Sequence, residues 1–172
     1  MRLEQTNAAD WLPALLERLA VQLLNEWAEI SSVCRAEQGS AFPPCAVSII
    51  IDGAYGGRLW MCAEKALFYR MAQGACGCSL PSSEDVEETA KEFLNILCGR
   101  LISAVYEKTK IPARFYTPCF CEGEPWQERG FSPGQALWFC SGPSEHFLLC
   151  FTATEKTGKE EDSYEIPAYG NR

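Results

Sequence analysis

Apolar positions recur at helical spacing near the start of the chain. From Asp10, a residue with N-cap chemistry, to about Ile30, residues Leu12, Leu15, Leu16, Leu19, Leu23, Leu24 and Trp27 fall on one stripe, which predicts a helix over 10–30. The pattern changes after Gly39, Pro43 and Pro44. Cys45 to Ile51 is rich in β-branched residues and ends at Asp52-Gly53, and Arg58 to Cys62 follows Gly56-Gly57, so an antiparallel hairpin is predicted over 45–62. A short helix is expected over 63–73. Gly74 to Pro81 breaks the period, and Ser82-Ser83 ahead of Glu84 and Asp85 places a cap and two acids at the positive end of a helix dipole. A long helix is therefore predicted over 84–108, ended by Lys108, Lys110 and Pro112. The strand expected over 113–121 contains Pro118, which calls for an edge position, a bulge or a local break. A polar loop over 122–134 carries Trp126, and a terminal hairpin over 136–153 turns at Ser141 to Ser144. Trp60, Trp138, Phe139 and Phe147 alternate within these strands as core or sheet-interface residues. Residues 154–172 are polar and charged, the composition of a flexible tail.

This order, one helix, a hairpin, two helices and three strands, lacks the regular alternation of a parallel sheet. It predicts an α+β fold, a mostly antiparallel β-sheet with helices packed on one side. A chain of 172 residues with 47% hydrophobic content can close one core, and a single domain over 1–153 is expected. The segment from Trp11 to Leu24 is broken by Glu17 and Arg18, so it reads as an amphipathic helix rather than an export signal. No window approaches the roughly 18 apolar residues of a membrane span, and a cytoplasmic protein without membrane insertion is expected.

Charge narrows the partners. A net charge of −8, with 15 Lys and Arg residues that do not cluster, disfavours a nucleic-acid partner, because phosphate binding needs a concentrated basic surface. The ten cysteines leave more open. Cys76/Cys78 and Cys119/Cys121 are C-x-C pairs that could build a four-thiolate site, although neither has the C-x-x-C spacing of the familiar zinc modules. Cys62, Cys98, Cys140 and Cys150 read as small apolar core residues. No metal site is expected. The single histidine, His146, sits beside a hairpin turn and is expected at the surface, which leaves a histidine triad without support. Gly53, Gly56 and Gly57 are explained by a hairpin turn rather than a phosphate loop.

On the long helix Val86, Ala90, Phe93, Leu94, Leu97, Leu101 and Val105 make the apolar stripe. At about 100° per residue, Glu88, Glu92, Asn95 and Gly99 gather on an arc roughly opposite. An ordinary solvated face would show the same periodicity. Asparagine and glycine in mid-helix, however, cost roughly 0.5 and 1 kcal/mol relative to alanine. Gly99 also leaves the surface one turn past Asn95 bare, so another molecule's backbone could come close there.

The run Glu92-Phe93-Leu94-Asn95-Ile96-Leu97-Cys98-Gly99 resembles the E-x-x-N-x-x-x-G helix signature of the CheC/CheX chemotaxis phosphatases. Its surroundings are similar too: the hairpin from Val47 to Cys62, the short helix that follows, and the strand from Lys110 to Cys119. One clear motif favours the single-motif CheX type over the CheC type. Gln22-Leu23-Leu24-Asn25 is only a degenerate echo, with glutamine in the acidic place. The resemblance implies hydrolysis of the aspartyl phosphate on a CheY-like response-regulator receiver domain. It implies that Asn95 orients the attacking water and that Glu92 pairs with the receiver's active-site lysine, with Glu88 and Gly99 in the partner-binding surface. It further implies that this chain holds no cofactor, the Mg2+ belonging to the receiver, and that a free strand edge could pair two subunits as a homodimer. The alternative kept beside it is a non-catalytic adaptor of the same fold that binds a receiver or dimerises.

Overall fold

The structure, a computed structural model, describes residues 8–37, 43–53, 56–123, 136–143 and 145–153. The Trp126 loop and the tail over 154–172 lie outside the described residues. The elements in chain order are α1 (Ala8–Ala28), β1 (Cys34–Arg35), β2 (Cys45–Gly53), β3 (Gly57–Ala63), α2 (Lys65–Cys76), α3 (Ser83–Thr109), β4 (Ala113–Phe115), β5 (Cys119–Glu122), β6 (Leu137–Gly142) and β7 (Glu145–Ala153). Every strand pairing is antiparallel, in the order β1-β6-β7-β3-β2-β4, and β5 also pairs with β2. The α+β class with an antiparallel sheet is therefore the observed one.

Alternation along the strands divides the sheet into two faces. Val47, Ile49 and Ile51 of β2, Leu59 and Met61 of β3, and Phe147 and Leu149 of β7 point into one core with the apolar sides of all three helices. Ala46, Trp60, Cys62, Trp138, Leu148 and Cys150 form a second buried cluster on the other face. Phe139 stacks on Phe147 at 4.9 Å in the main core, whereas Trp60 and Trp138 belong to the second cluster.

Several expectations shift at their ends. α1 starts at Ala8, so Asp10 lies inside the helix rather than capping it. β1 was not predicted: two residues cannot display a period, and the strand exists because Cys34 and Arg35 lie against Cys140 and Phe139 of β6. Ala63 belongs to β3, and α2 continues through Gly74 to Cys76. A glycine in mid-helix reads as a breaker, but here the bare position lets α1 pass. A Cβ on Gly74 would lie 2.4 Å from the Ala28 carbonyl oxygen. The strand predicted over 113–121 is interrupted: β4 pairs with Ile51–Gly53 and β5 with Cys45–Ser48 of the same partner strand, with 116–118 between them. Proline has no N–H to give a ladder, and Pro118 sits in that interruption. No helix among the described residues is long and apolar enough to cross a membrane.

Candidate functional site

α3 is fixed at both ends by local chemistry. Ser82 caps it: the Asp85 N–H donates to Ser82 Oγ at 3.2 Å, and the Ser82 N–H donates to Asp85 Oδ2 at 2.8 Å. These bonds close a capping box. The Ser82 hydroxyl and backbone hold the Asp85 carboxyl below its usual range. At the other end Lys110 takes a left-handed conformation and its N–H donates to the Tyr106 carbonyl at 2.7 Å. Between the ends Val86, Phe93, Leu94, Leu97, Leu101 and Val105 are buried, and burial of each such side chain is worth about 1.5–3 kcal/mol. That sum easily outweighs the propensity loss of about 1.5 kcal/mol at Asn95 and Gly99 together.

The opposite side of α3 forms one wall of an open groove of about 520 Å³, lined by Glu88, Lys91, Glu92, Asn95, Phe115, Tyr116, Thr117 and Pro118. The other wall is the interruption between β4 and β5. The Tyr116 N–H donates to the Ile50 carbonyl at 3.0 Å, so this stretch stays tied to β2 although the ladder is broken. Glu88, Glu92 and Asn95 thus share one groove. Gly99 lies one turn beyond Asn95, and a Cβ there would meet only the Phe115 ring, at 4.0 Å. Internal packing does not require a glycine at that position.

The side chains differ in how they are occupied. Lys91 Nζ lies 2.6 Å from Glu87 Oε1 and 3.0 Å from Glu88 Oε1, and Glu87 first, then Glu88, hold its ammonium above the usual range. Among the described residues neither Glu92 nor Asn95 has a side-chain hydrogen bond or ion pair. An exposed carboxylate and a half-buried amide, one turn apart and both uncommitted, are thus presented to the groove. A carboxylate can take a cation, and an amide can accept from one group while donating to another. Lys91 and the wall from Phe115 to Pro118 were missed in the sequence. Lys91 was legible in principle, being spaced i, i+4 from Glu87 and i, i+3 from Glu88. The second wall depends on tertiary contact.

The other candidates gather elsewhere. Gln22 donates to Glu26 at 2.7 Å, and Glu26 in turn pairs with Arg100 at 2.9 Å, so the glutamine of the degenerate echo is committed to a link between α1 and α3. His146 is exposed at the β6 end of the sheet. Cys45, Cys62, Cys98 and Cys150 are buried, and burial pushes Cys98 up to about 12 and Cys150 to about 11. Burial also raises Cys62, with smaller contributions from Cys121 and Cys150. Cys140 departs from the core expectation: it is half-buried, and its Sγ lies 3.2 Å from that of exposed Cys34 across the β1–β6 pair. Among the described residues no group of three or more His, Cys, Asp or Glu side chains could hold a metal ion.

Residues 45–129 match the family model described as chemotaxis phosphatase CheX. Among solved structures, the chain is similar to the chemotaxis protein CheX from Vibrio vulnificus (17% identity, 86% of this chain and 100% of that chain covered, TM-score 0.65). It is also similar to a chain of the CheX–CheY–BeF3–Mg2+ complex from Borrelia burgdorferi (14% identity, 79% and 93% covered, TM-score 0.63). A third is a CheC-like chemotactic protein from Shewanella oneidensis (17% identity, 81% and 96% covered, TM-score 0.60). At these identities the structural matches speak for the fold. No protein of curated function matches the chain in sequence.

Proposed function

From the premise that residues 45–129 belong to the chemotaxis phosphatase CheX family, we propose that this chain hydrolyses the aspartyl phosphate of a CheY-like receiver domain. The observation that carries the proposal is the pair Glu92 and Asn95, uncommitted, one turn apart and open to a single groove beside a glycine that packing does not need. The Borrelia complex supports a CheY-type partner.

An acyl phosphate is already reactive, so the phosphatase has mainly to orient water. The Asn95 carbonyl accepts a hydrogen bond from that water while its amide N–H donates to a phosphoryl oxygen, which holds the nucleophile in line with the bond to be broken. The products are inorganic phosphate and the free aspartate. Glu92 pairs with the receiver's active-site lysine and sets where α3 enters, since a charge pair at an interface fixes orientation more than affinity. Gly99 belongs to the same contact surface as an absence of side chain, whereas Glu88, paired with Lys91, lies beside it as a solvated acid without a part in docking. Mg2+ is the receiver's, where it offsets charge on the phosphoryl group, and this chain works in the cytoplasm alongside it.

The test is phosphate lifetime across the receivers of the source organism, each phosphorylated with acetyl phosphate. Shortening of at least one lifetime by catalytic amounts of the protein is the expected result. Saturable binding to a receiver with no lifetime changed would replace catalysis by an adaptor role.

A further inference from the structure

Three carboxylates stand close together on this part of α3, and only one of them is uncommitted. Glu87 and Glu88 both reach Lys91, at 2.6 and 3.0 Å, while Glu92 has no ion pair among the described residues. A lysine arriving from a partner meets a choice of anions, and Glu88, 67% exposed at its side chain, competes with Glu92 for it. The two sites are four residues apart on a helix that rises 1.5 Å per residue, so pairing with Glu88 would displace the partner by about 6 Å. Asn95 could not then reach the phosphoryl group, because the water must lie within about 3–3.5 Å of its target.

We propose that Lys91 is a positioning residue: by pairing with Glu87 and Glu88 it leaves Glu92 as the most available carboxylate of the groove and favours the register in which a receiver's lysine docks productively. This rests on the phosphatase reading above. Lys91 need not touch the substrate. Its role is to suppress a second docking mode, as a repulsive or already satisfied group does wherever specificity is a difference between two affinities. The pairs with Glu87 and Glu88 are solvent-facing and individually weak, each about a twofold preference for this spacing. Their removal should therefore change stability little. It should change register more.

The kinetic mark of a competing, unproductive mode is specific. In Lys91→Gln, Glu88 becomes equivalent to Glu92 as an anion, and about half of the bound receivers sit out of register; with Glu87 also open, about two-thirds do. Each pair masks its carboxylate only about twofold in the wild type, so turnover at saturation should fall about 1.3- to 1.5-fold and KM by the same factor, leaving kcat/KM unchanged, since productive binding from the free state is unaltered. Lys91→Arg should behave as wild type. Adding Glu87→Gln and Glu88→Gln to Lys91→Gln should restore kcat, because no rival carboxylate remains.

The experiment is steady-state dephosphorylation of the responsive receiver, kept phosphorylated with acetyl phosphate, by each of these variants. Proportional loss in kcat and KM, reversed by the added substitutions, is the expected result. An unchanged kcat in Lys91→Gln, or a loss that the added substitutions fail to reverse, would overturn the role of Lys91. Asn95→Ala, run beside them, separates the two levels. If Asn95→Ala abolishes turnover and Lys91→Gln leaves it untouched, the phosphatase reading stands and the register device falls; if Asn95→Ala turns over normally, the phosphatase reading itself falls.

Discussion

Replacing Gly99 by alanine should make the protein more stable and less active. A Cβ built at that position meets nothing nearer than Phe115 Cζ at 4.0 Å, which is ordinary van der Waals contact, so no strain opposes the substitution. Alanine is favoured over glycine in a helix interior by about 1 kcal/mol, partly because it restricts the unfolded chain. A gain of about 0.5–1 kcal/mol is expected, which for a chain of this size raises Tm by about 1–4 °C. Urea denaturation gives the number directly, as a higher midpoint with an unchanged slope. The same methyl group stands one turn past Asn95, where the receiver's backbone is proposed to approach, and dephosphorylation should lose efficiency through a raised KM. Two results would refute the reasoning. A destabilised variant would mean that the glycine is an internal packing requirement, and a stabilised variant with undiminished dephosphorylation would mean that the partner does not use this surface.

Gly74→Ala should do the opposite in the same denaturation assay, losing about 1–3 kcal/mol as an overpacked position, because the new Cβ would sit 2.4 Å from the Ala28 carbonyl oxygen where α2 crosses α1. Ser82→Ala should cost about 1 kcal/mol of stability by opening the capping box, read from the urea midpoint. The contribution of Asp85 to that cap is full above its unfolded-state pKa and is lost as pH falls through its lowered folded value, so wild type should lose more stability over that acid range than Asp85→Asn does. Brief alkylation of the native protein at pH 8, read by peptide mass spectrometry, should label exposed Cys34, Cys76, Cys78 and Cys119 and spare buried Cys45, Cys62, Cys98 and Cys150.

Long periodic segments were legible in the sequence because their physics is local. The stripe from Val86 to Val105 and the alternation of Val47, Ile49 and Ile51 report burial directly, and Ser82 with Asp85 announces a helix start. Elements created by tertiary contact were not legible. β1 is two residues held by β6, and the continuation of α2 through Gly74 makes sense only once Ala28 is beside it. The asymmetry recurs at the site. Glu88, Glu92, Asn95 and Gly99 share a helix face, which the spacing of one element determines. The groove needs a second wall, and Phe115 to Pro118 reach it only because β4 and β5 pair with separate stretches of β2.

The central claim is that the Asn95 amide positions the hydrolytic water. Its most direct test is single-turnover loss of labelled phosphate from the phosphorylated receiver, with binding measured separately on the same samples. Asn95→Ala should bind the receiver as wild type does and hydrolyse about 100-fold or more slowly, the scale on which a single positioning group acts. Hydrolysis at the wild-type rate by an Asn95→Ala protein that still binds the receiver would contradict it.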